Sequence, residues 1–322
     1  MTENRQRGFA MVVGGSAGVG RAVVEALRER GHRVGVIARG EDRLAELAAL
    51  DGVVTTSADA GDAEALSRAV EGIVAQEGAP VIWVNCAMAT SFSPFLKMEV
   101  EEFDKIVRTT FLGQVNGTRL ALRHMTEGHI CHVGSGLSYR PVPNQSAYCA
   151  AKHAINGFVG SVRSEVIADK RPIGLSLVQL PAINTPQFDW AKNRMEMKPQ
   201  PAPPIFDATV AAQAVLDAID NDRREVIVGR SVLKLIFGDM VLPAFIDRKL
   251  AREGVEMQKS DRPDPGGRPD NLDAPVAHPA TKDGSFGDRA ERNGVTMDAD
   301  LARKIFFFGG ALVIFLLGVL VG

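Results

Sequence analysis

Cysteine is scarce: Cys86, Cys131 and Cys149 are the three among 322 residues. Their odd number and wide spacing exclude a disulfide framework and point to a reducing compartment. An excess of one charge is missing too. Lys+Arg of 37 against Asp+Glu of 39 leaves a formal net charge of −2, which speaks against a polyanion-binding face, so no nucleic acid is expected as a partner. A secretion signal is absent from the start of the chain, where the apolar run is broken at once by Gly14-Gly15, and the domain is expected to begin inside the cell. Metal-ligand clustering is thin. His129, Cys131 and His132 are close in sequence, but on a strand positions 129 and 132 point to opposite faces, so no metal is expected. What remains, 45% hydrophobic and 24% charged residues, is enough for one large domain with additions.

The chemistry concentrates in Tyr148-Cys149-Ala150-Ala151-Lys152. On a helix, positions i and i+4 are neighbours, so a phenol and an ammonium lie one above the other. The lysine charge should favour tyrosinate and draw the phenol below its usual pKa of about 10, toward proton exchange near neutrality. Ser135 follows the strand-like run Ile130-Cys131-His132-Val133, where its hydroxyl could hold a substrate oxygen.

An apolar run from Phe9 to Val13 leads into Gly14-Gly15-Ser16-Ala17-Gly18-Val19-Gly20, after which Val19, Ala22, Val23, Ala26 and Leu27 recur at helical period. Strand, glycine turn and helix in that order suit a pyrophosphate: glycines allow the sharp turn and the bare N–H groups, and the helix start adds partial positive charge. A second strand, Arg33 to Ile37, ends in Ala38-Arg39, where an acid would hold the ribose 2′-hydroxyl of NAD. Arg39 instead offers a guanidinium fork suited to a 2′-phosphate, which favours NADP over NAD. Asp59 is placed either to touch an adenine or to cap the helix that begins near Asp62. Val81 to Val84, ending in Asn85-Cys86-Ala87, reads as a strand buried on both faces. Ile173 to Leu180, ending in Pro181-Ala182, and a strand near Glu225–Val228 extend the series. Strands alternating with helices imply an α/β fold, a doubly wound parallel sheet of Rossmann type, with ligands beyond the strands' carboxyl ends.

These motifs resemble those of the short-chain dehydrogenases/reductases over roughly residues 8 to 230. The family's TGxxxGxG appears as Val13-Gly14 through Gly20, its NNAG as Asn85-Cys86-Ala87-Met88, its serine as Ser135, its YxxxK as Tyr148 and Lys152, and its PG…T as Pro181-Ala182 with Thr185. The resemblance implies cofactor contacts from Gly14, Ser16, Gly18, Val19, Gly20, Arg39, Asp59, Asn85, Tyr148, Lys152, Pro181 and Thr185. It further implies that Tyr148 is the proton donor or base, that Lys152 binds the nicotinamide ribose, and that Ser135 orients the substrate oxygen. The family's asparagine in an N-L-x-G pattern is replaced here by Thr110, expected as a catalytic member of the proton relay because its hydroxyl can still bond water.

Gln187 to Phe206, within a stretch 184–206, carries Phe188, Trp190, Met195 and Met197 and is read as a lid over a bulky apolar substrate. Residues 231–246 are apolar but interrupted by Lys234, Asp239 and Pro243, as in a helix packing on a second subunit or lying on a membrane surface. From 258 to 304 the composition turns to Asp, Pro, Gly and Arg without hydrophobic period, which reads as a flexible, disordered linker between the domain of residues 1–257 and the C-terminus. The uncharged run 305–322 holds thirteen Ile, Leu, Val or Phe residues and at 1.5 Å per residue nearly matches a hydrocarbon core of about 30 Å. It is expected to be a transmembrane tail anchor. Arg289, Arg292, Arg303 and Lys304 precede it and keep the domain cytoplasmic.

The expectation is therefore a membrane-tethered, NADP(H)-dependent oxidoreductase that interconverts an apolar ketone and a secondary alcohol, assembled as a homodimer or homotetramer. The rival reading is an NADP(H)-binding sensor or scaffold without turnover.

Overall fold

A computed structural model of the chain describes residues 8–309. Seven parallel strands form its centre: β1 (Phe9–Val13), β2 (Arg33–Ala38), β3 (Val53–Ser57), β4 (Ile82–Asn85), β5 (Gly128–Val133), β6 (Ile173–Gln179) and β7 (Glu225–Val228). An eighth, β8 (Thr296–Asp298), runs antiparallel to β7 at the edge, giving the order β8-β7-β6-β5-β4-β1-β2-β3. Central strands are buried along their whole length because helices cover both faces, which is why they read as largely apolar runs whose few polar residues are buried with them.

One face is packed by α1 (Gly18–Glu29), through Ala22, Val23 and Leu27, and by the alanine-rich helix Ala208–Asp220, which starts on an Asp207 side-chain cap. The other is packed by α3 (Ala63–Glu77), α5 (Gly113–His124) and α6 (Ser146–Ala168), with α4 (Val100–Val107) set against α6 through Ile106 and Ala147, whereas α2 (Glu41–Ala48) sends Leu44 and Leu47 to the first face. Asp62 caps α3 by accepting from the N–H groups of Glu64 and Ala65. Strand order reverses beside β1, between β4 and β2, and the cleft opens at that switch point.

Two expectations change. Residues 258–304 are not a structureless linker: Lys259–Pro263 pairs with Met197–Pro199, Ala290–Glu291 joins Ile205–Phe206, and β8 extends the main sheet. The segment lacks hydrophobic period because it is held by backbone pairing, arginine forks and ion pairs. Residues 230–253 form two helices, Arg230–Val241 and Pro243–Glu253, whose inner side walls the cleft while Met240, Val241 and Leu242 stay exposed. Of the expected terminal span, residues 310–322 lie outside the described residues, and 305–309 end a helix running over 299–309. Among the described residues no helix is long and apolar enough to cross a membrane.

Candidate active site

The cleft is a cavity of about 800 Å³ lined by the glycine turn, Arg39, Asp59, Ser135, Tyr148, Lys152, Pro181 and Thr185. Its glycines are required sterically. A Cβ on Gly20 would stand 2.1 Å from the Gly14 carbonyl oxygen, and Gly14, at φ +87°, would put one 2.4 Å from the Ala87 nitrogen. A turn closed this tightly presents backbone, with Ser16 and Val19, to the cavity. Its size falls within the roughly 300–1,000 Å³ of small-molecule pockets, so the residues present fit a dinucleotide with room for a further ligand.

Arg39 closes the far end. Its guanidinium lies 3.7 Å from the Asp59 carboxylate and donates to the Asn271 and Leu272 carbonyls. Asp59 accepts from the Gly61 N–H and so shapes its own turn as well as facing the cleft.

At the catalytic end Tyr148 and Ser135 line the same cavity, the Ser135 hydroxyl oxygen accepts from the Leu137 N–H at 3.1 Å, and the Lys152 ammonium stands 5.6 Å from the Tyr148 ring centroid. The phenol is not drawn down. Burial pushes its pKa above the ordinary value, outweighing the lowering by Ser135, because a phenolate there would lose water. Lys152 is buried, donates at 2.7 Å to the Val133 carbonyl, and has its own pKa lowered to about 8 by burial. The ammonium is thus disfavoured by burial and directed at the Val133 carbonyl.

Two sequence-derived site residues are placed elsewhere. Asn85 points under α5: its oxygen accepts from the Trp83 indole at 3.0 Å and its amide donates to Thr118, while neighbouring Cys86, Ala87 and Met88 line the cleft. Alternation along β4 turns that side chain away. Thr110 sits in a wide π turn, Arg108–Leu112, between α4 and α5. The extra residue in such a turn shifts the helix face, so Thr109 lines the cleft and Thr110 is buried, donating to the Ala89 carbonyl and accepting from the Ala89 N–H, both at 2.9 Å. A hydroxyl so engaged braces the Ala89 backbone rather than relaying protons.

Phe188 and Trp190 of the expected lid reach the cleft, with Gln200 and Pro203 beyond them. Met195 packs into a separate cluster with Phe92, and Met197 lies in the strand that pairs with Lys259–Pro263. Val232, Leu235, Phe245 and Ile246 complete an apolar wall opposite.

A buried polar chain under Ser135 was missed from sequence. The Gln179 oxygen accepts from the Ser135 N–H at 2.9 Å, and its amide donates to Glu225 at 2.9 Å and Asn156 at 3.0 Å. Glu225 in turn accepts from the Tyr139 hydroxyl at 2.5 Å and from Arg303 at 2.6 Å. Burial first, and then the Glu225 charge, raises the pKa of Tyr139 and keeps it a donor. The available signal was a glutamine at the end of β6 and a glutamate at the start of the otherwise apolar β7. Another group, His129 with Ser176 at 2.7 Å and Asp222 at 3.3 Å, has the composition of a hydrolytic triad. Its serine is fully buried and donates to the Arg223 carbonyl, and none of the three lines the cleft.

A sheet with its cleft at the switch point, floored by a glycine turn and closed by a serine, a tyrosine and a lysine, defines a nucleotide-dependent oxidoreductase. The family model for short chain dehydrogenase matches residues 8–196. The chain belongs to that family, whose members bind nicotinamide dinucleotides and act on small molecules. It is 27% identical over 263 residues to Uncharacterized oxidoreductase YxnA of Bacillus subtilis, covering 79% of this chain and 74% of that one. Carbonyl reductase family member 4 of Danio rerio is 28% identical, covering 66% of this chain and 91% of that protein. A solved dehydrogenase/reductase from Sinorhizobium meliloti 1021 is 28% identical with a TM-score of 0.52, covering 56% of this chain and 74% of that one.

Proposed function

We propose that the protein is an NADP(H)-dependent oxidoreductase interconverting an apolar ketone and a secondary alcohol. The carrying observation is the Ser135–Tyr148–Lys152 set opening on one cavity with an apolar wall at its other side. Gly14 through Gly20 would hold the pyrophosphate, Arg39 the 2′-phosphate, and Thr185 and Pro181 the nicotinamide half; the cofactor, when bound, supplies or accepts the hydride. Ser135 orients the substrate oxygen by its hydroxyl. Tyr148, kept protonated by burial, gives its proton to that oxygen in reduction and takes it back in oxidation. Lys152 supplies positive charge as the phenol loses its proton, and Phe188, Trp190, Val232, Leu235 and Phe245 exclude water. The same wall gives the preference for apolar substrates. Purified full-length protein, supplied with NADPH or NADP and a panel of ketones and alcohols graded in hydrophobicity, tests the reading; absence of turnover with the whole panel, despite nucleotide binding, would favour a sensor or scaffold.

The apolar run 305–322 supports a membrane-spanning segment that holds this domain on the cytoplasmic face, where apolar substrates dissolve. The family's habit of assembling through helices supports a homodimer or homotetramer. Alkaline carbonate extraction with and without 305–322 tests the anchor: release of the full-length chain refutes it.

A further inference from the structure

Residues 268–286 cross the mouth of the cleft and are fixed to both lips. On the lip built by α1 and α2, Arg43 donates to the Val276 carbonyl at 2.6 Å, the Ala280 N–H donates to Glu46 at 3.0 Å, and Lys282 pairs with Glu25 at 2.9 Å. On the opposite lip, Arg268 donates to the Asp189 and Ala191 carbonyls, the Asn271 N–H donates to the Trp190 carbonyl at 3.0 Å, and Lys105 pairs with Asp273. Leu272 is buried in one cluster with Ala89, Ile106 and Ala147, against which Tyr148 also packs.

Three further bonds of this segment use groups suited to the dinucleotide. The Gly18 N–H, in the glycine turn, donates to the Thr281 carbonyl at 3.0 Å, a bond that the pyrophosphate of either nucleotide contests alike and that does not discriminate between them. Arg39 donates one terminal nitrogen to the Leu272 carbonyl at 3.1 Å and the other to the Asn271 carbonyl. Carbonyl and phosphate oxygens are all acceptors, so they compete for the same guanidinium donors. A ribose 2′-hydroxyl makes no such demand.

Resting on the NADP(H) reading above, we propose that 268–286 is a strap that determines cofactor choice: its Asn271 and Leu272 carbonyls hold Arg39 in place of a 2′-phosphate, so NADP(H) binds by lifting the strap and NAD(H) binds beneath it. The strap lies beyond the stretch matched by the family model, so the selectivity belongs to this chain's own C-terminal segment.

The test is calorimetric titration of the full chain with NADP and NAD, in wild type and in an Arg268→Ala variant, which frees the strap from the Asp189 and Ala191 carbonyls without altering the glycine turn, Arg39 or the catalytic set. Release of the competing carbonyls should tighten NADP by about tenfold, the value of one charge-assisted hydrogen bond, and change NAD by less than about threefold. Unchanged NADP affinity, or an equal gain for both nucleotides, overturns the strap. A wild-type chain that binds neither refutes the cofactor reading and the strap with it. A second measurement uses the wild type alone: NADP should speed hydrogen exchange of the Asn271 and Ala280 amides relative to NAD, and equal exchange with the two nucleotides is again an overturning result. Trp190 reports the same motion, since its ring stands 4.9 Å from that of His278 on the strap.

Discussion

Replacing Gln179 by leucine should separate the positioning of Ser135 from the binding of cofactor. The side chain is fully buried, and its amide links the Ser135 N–H to the Glu225 carboxylate through bonds of 2.9 Å on either side. Leucine keeps most of the volume and removes both functions. The Ser135 N–H is then a buried donor without its acceptor, costing about 1–3 kcal/mol, while Glu225 retains Tyr139 and Arg303. At roughly 2–4 °C per kcal/mol for a domain of this size or somewhat smaller, the melting temperature should fall by about 2–12 °C. Displacement of the Ser135 loop by about 1 Å should lower kcat by as much as about 100-fold. The glycine turn does not contact Gln179, so the Kd for the nucleotide should hold within about twofold. Calorimetric binding, thermal melts and steady-state kinetics, with Gln179→Asn as a shortened amide and Glu225→Gln as a probe of the next link, provide the assay. A leucine variant with wild-type kcat, or one losing kcat and nucleotide affinity in equal measure, refutes the reasoning.

Tyr148→Phe should lower turnover by about 10²–10⁴ with nucleotide affinity nearly intact; wild-type turnover would remove the phenol from the chemistry. Lys152, whose folded pKa is lowered from 10.5 to about 8, should contribute stability fully present above pH 10.5 and lost as pH falls through 8, because the unfolded chain then binds a proton that the fold resists. Melts of Lys152→Met should therefore exceed wild type most at pH 7 and show a shrinking advantage toward pH 10, and a gap independent of pH refutes the assignment. Thr110→Val strands both the N–H and the carbonyl of Ala89, so it should lower the melting temperature by several degrees while kcat/KM changes much less. Strong loss of kcat in a variant of undiminished stability would restore Thr110 to a proton relay.

Motifs whose meaning is local were legible from the sequence by itself. Apolar runs bounded by turns located the strands, because a strand covered on both faces is apolar over most of its length. The glycine turn was equally readable, since only glycine tolerates the approach of Gly20 to the Gly14 carbonyl and of Gly14 to the Ala87 backbone. Tyr148 and Lys152 share a helix, and their spacing alone makes them neighbours. Tertiary structure decided whatever depended on facing and burial. Asn85 and Thr110 match a motif by position, yet strand alternation and one extra residue in a π turn direct their side chains away from the cleft. The sign of the Tyr148 shift followed from enclosure, which a lysine at i+4 does not report. Residues 258–304 read as linker because they hold to the domain largely through main-chain groups, and hydrophobic periodicity is blind to a carbonyl that meets an arginine more than two hundred residues away.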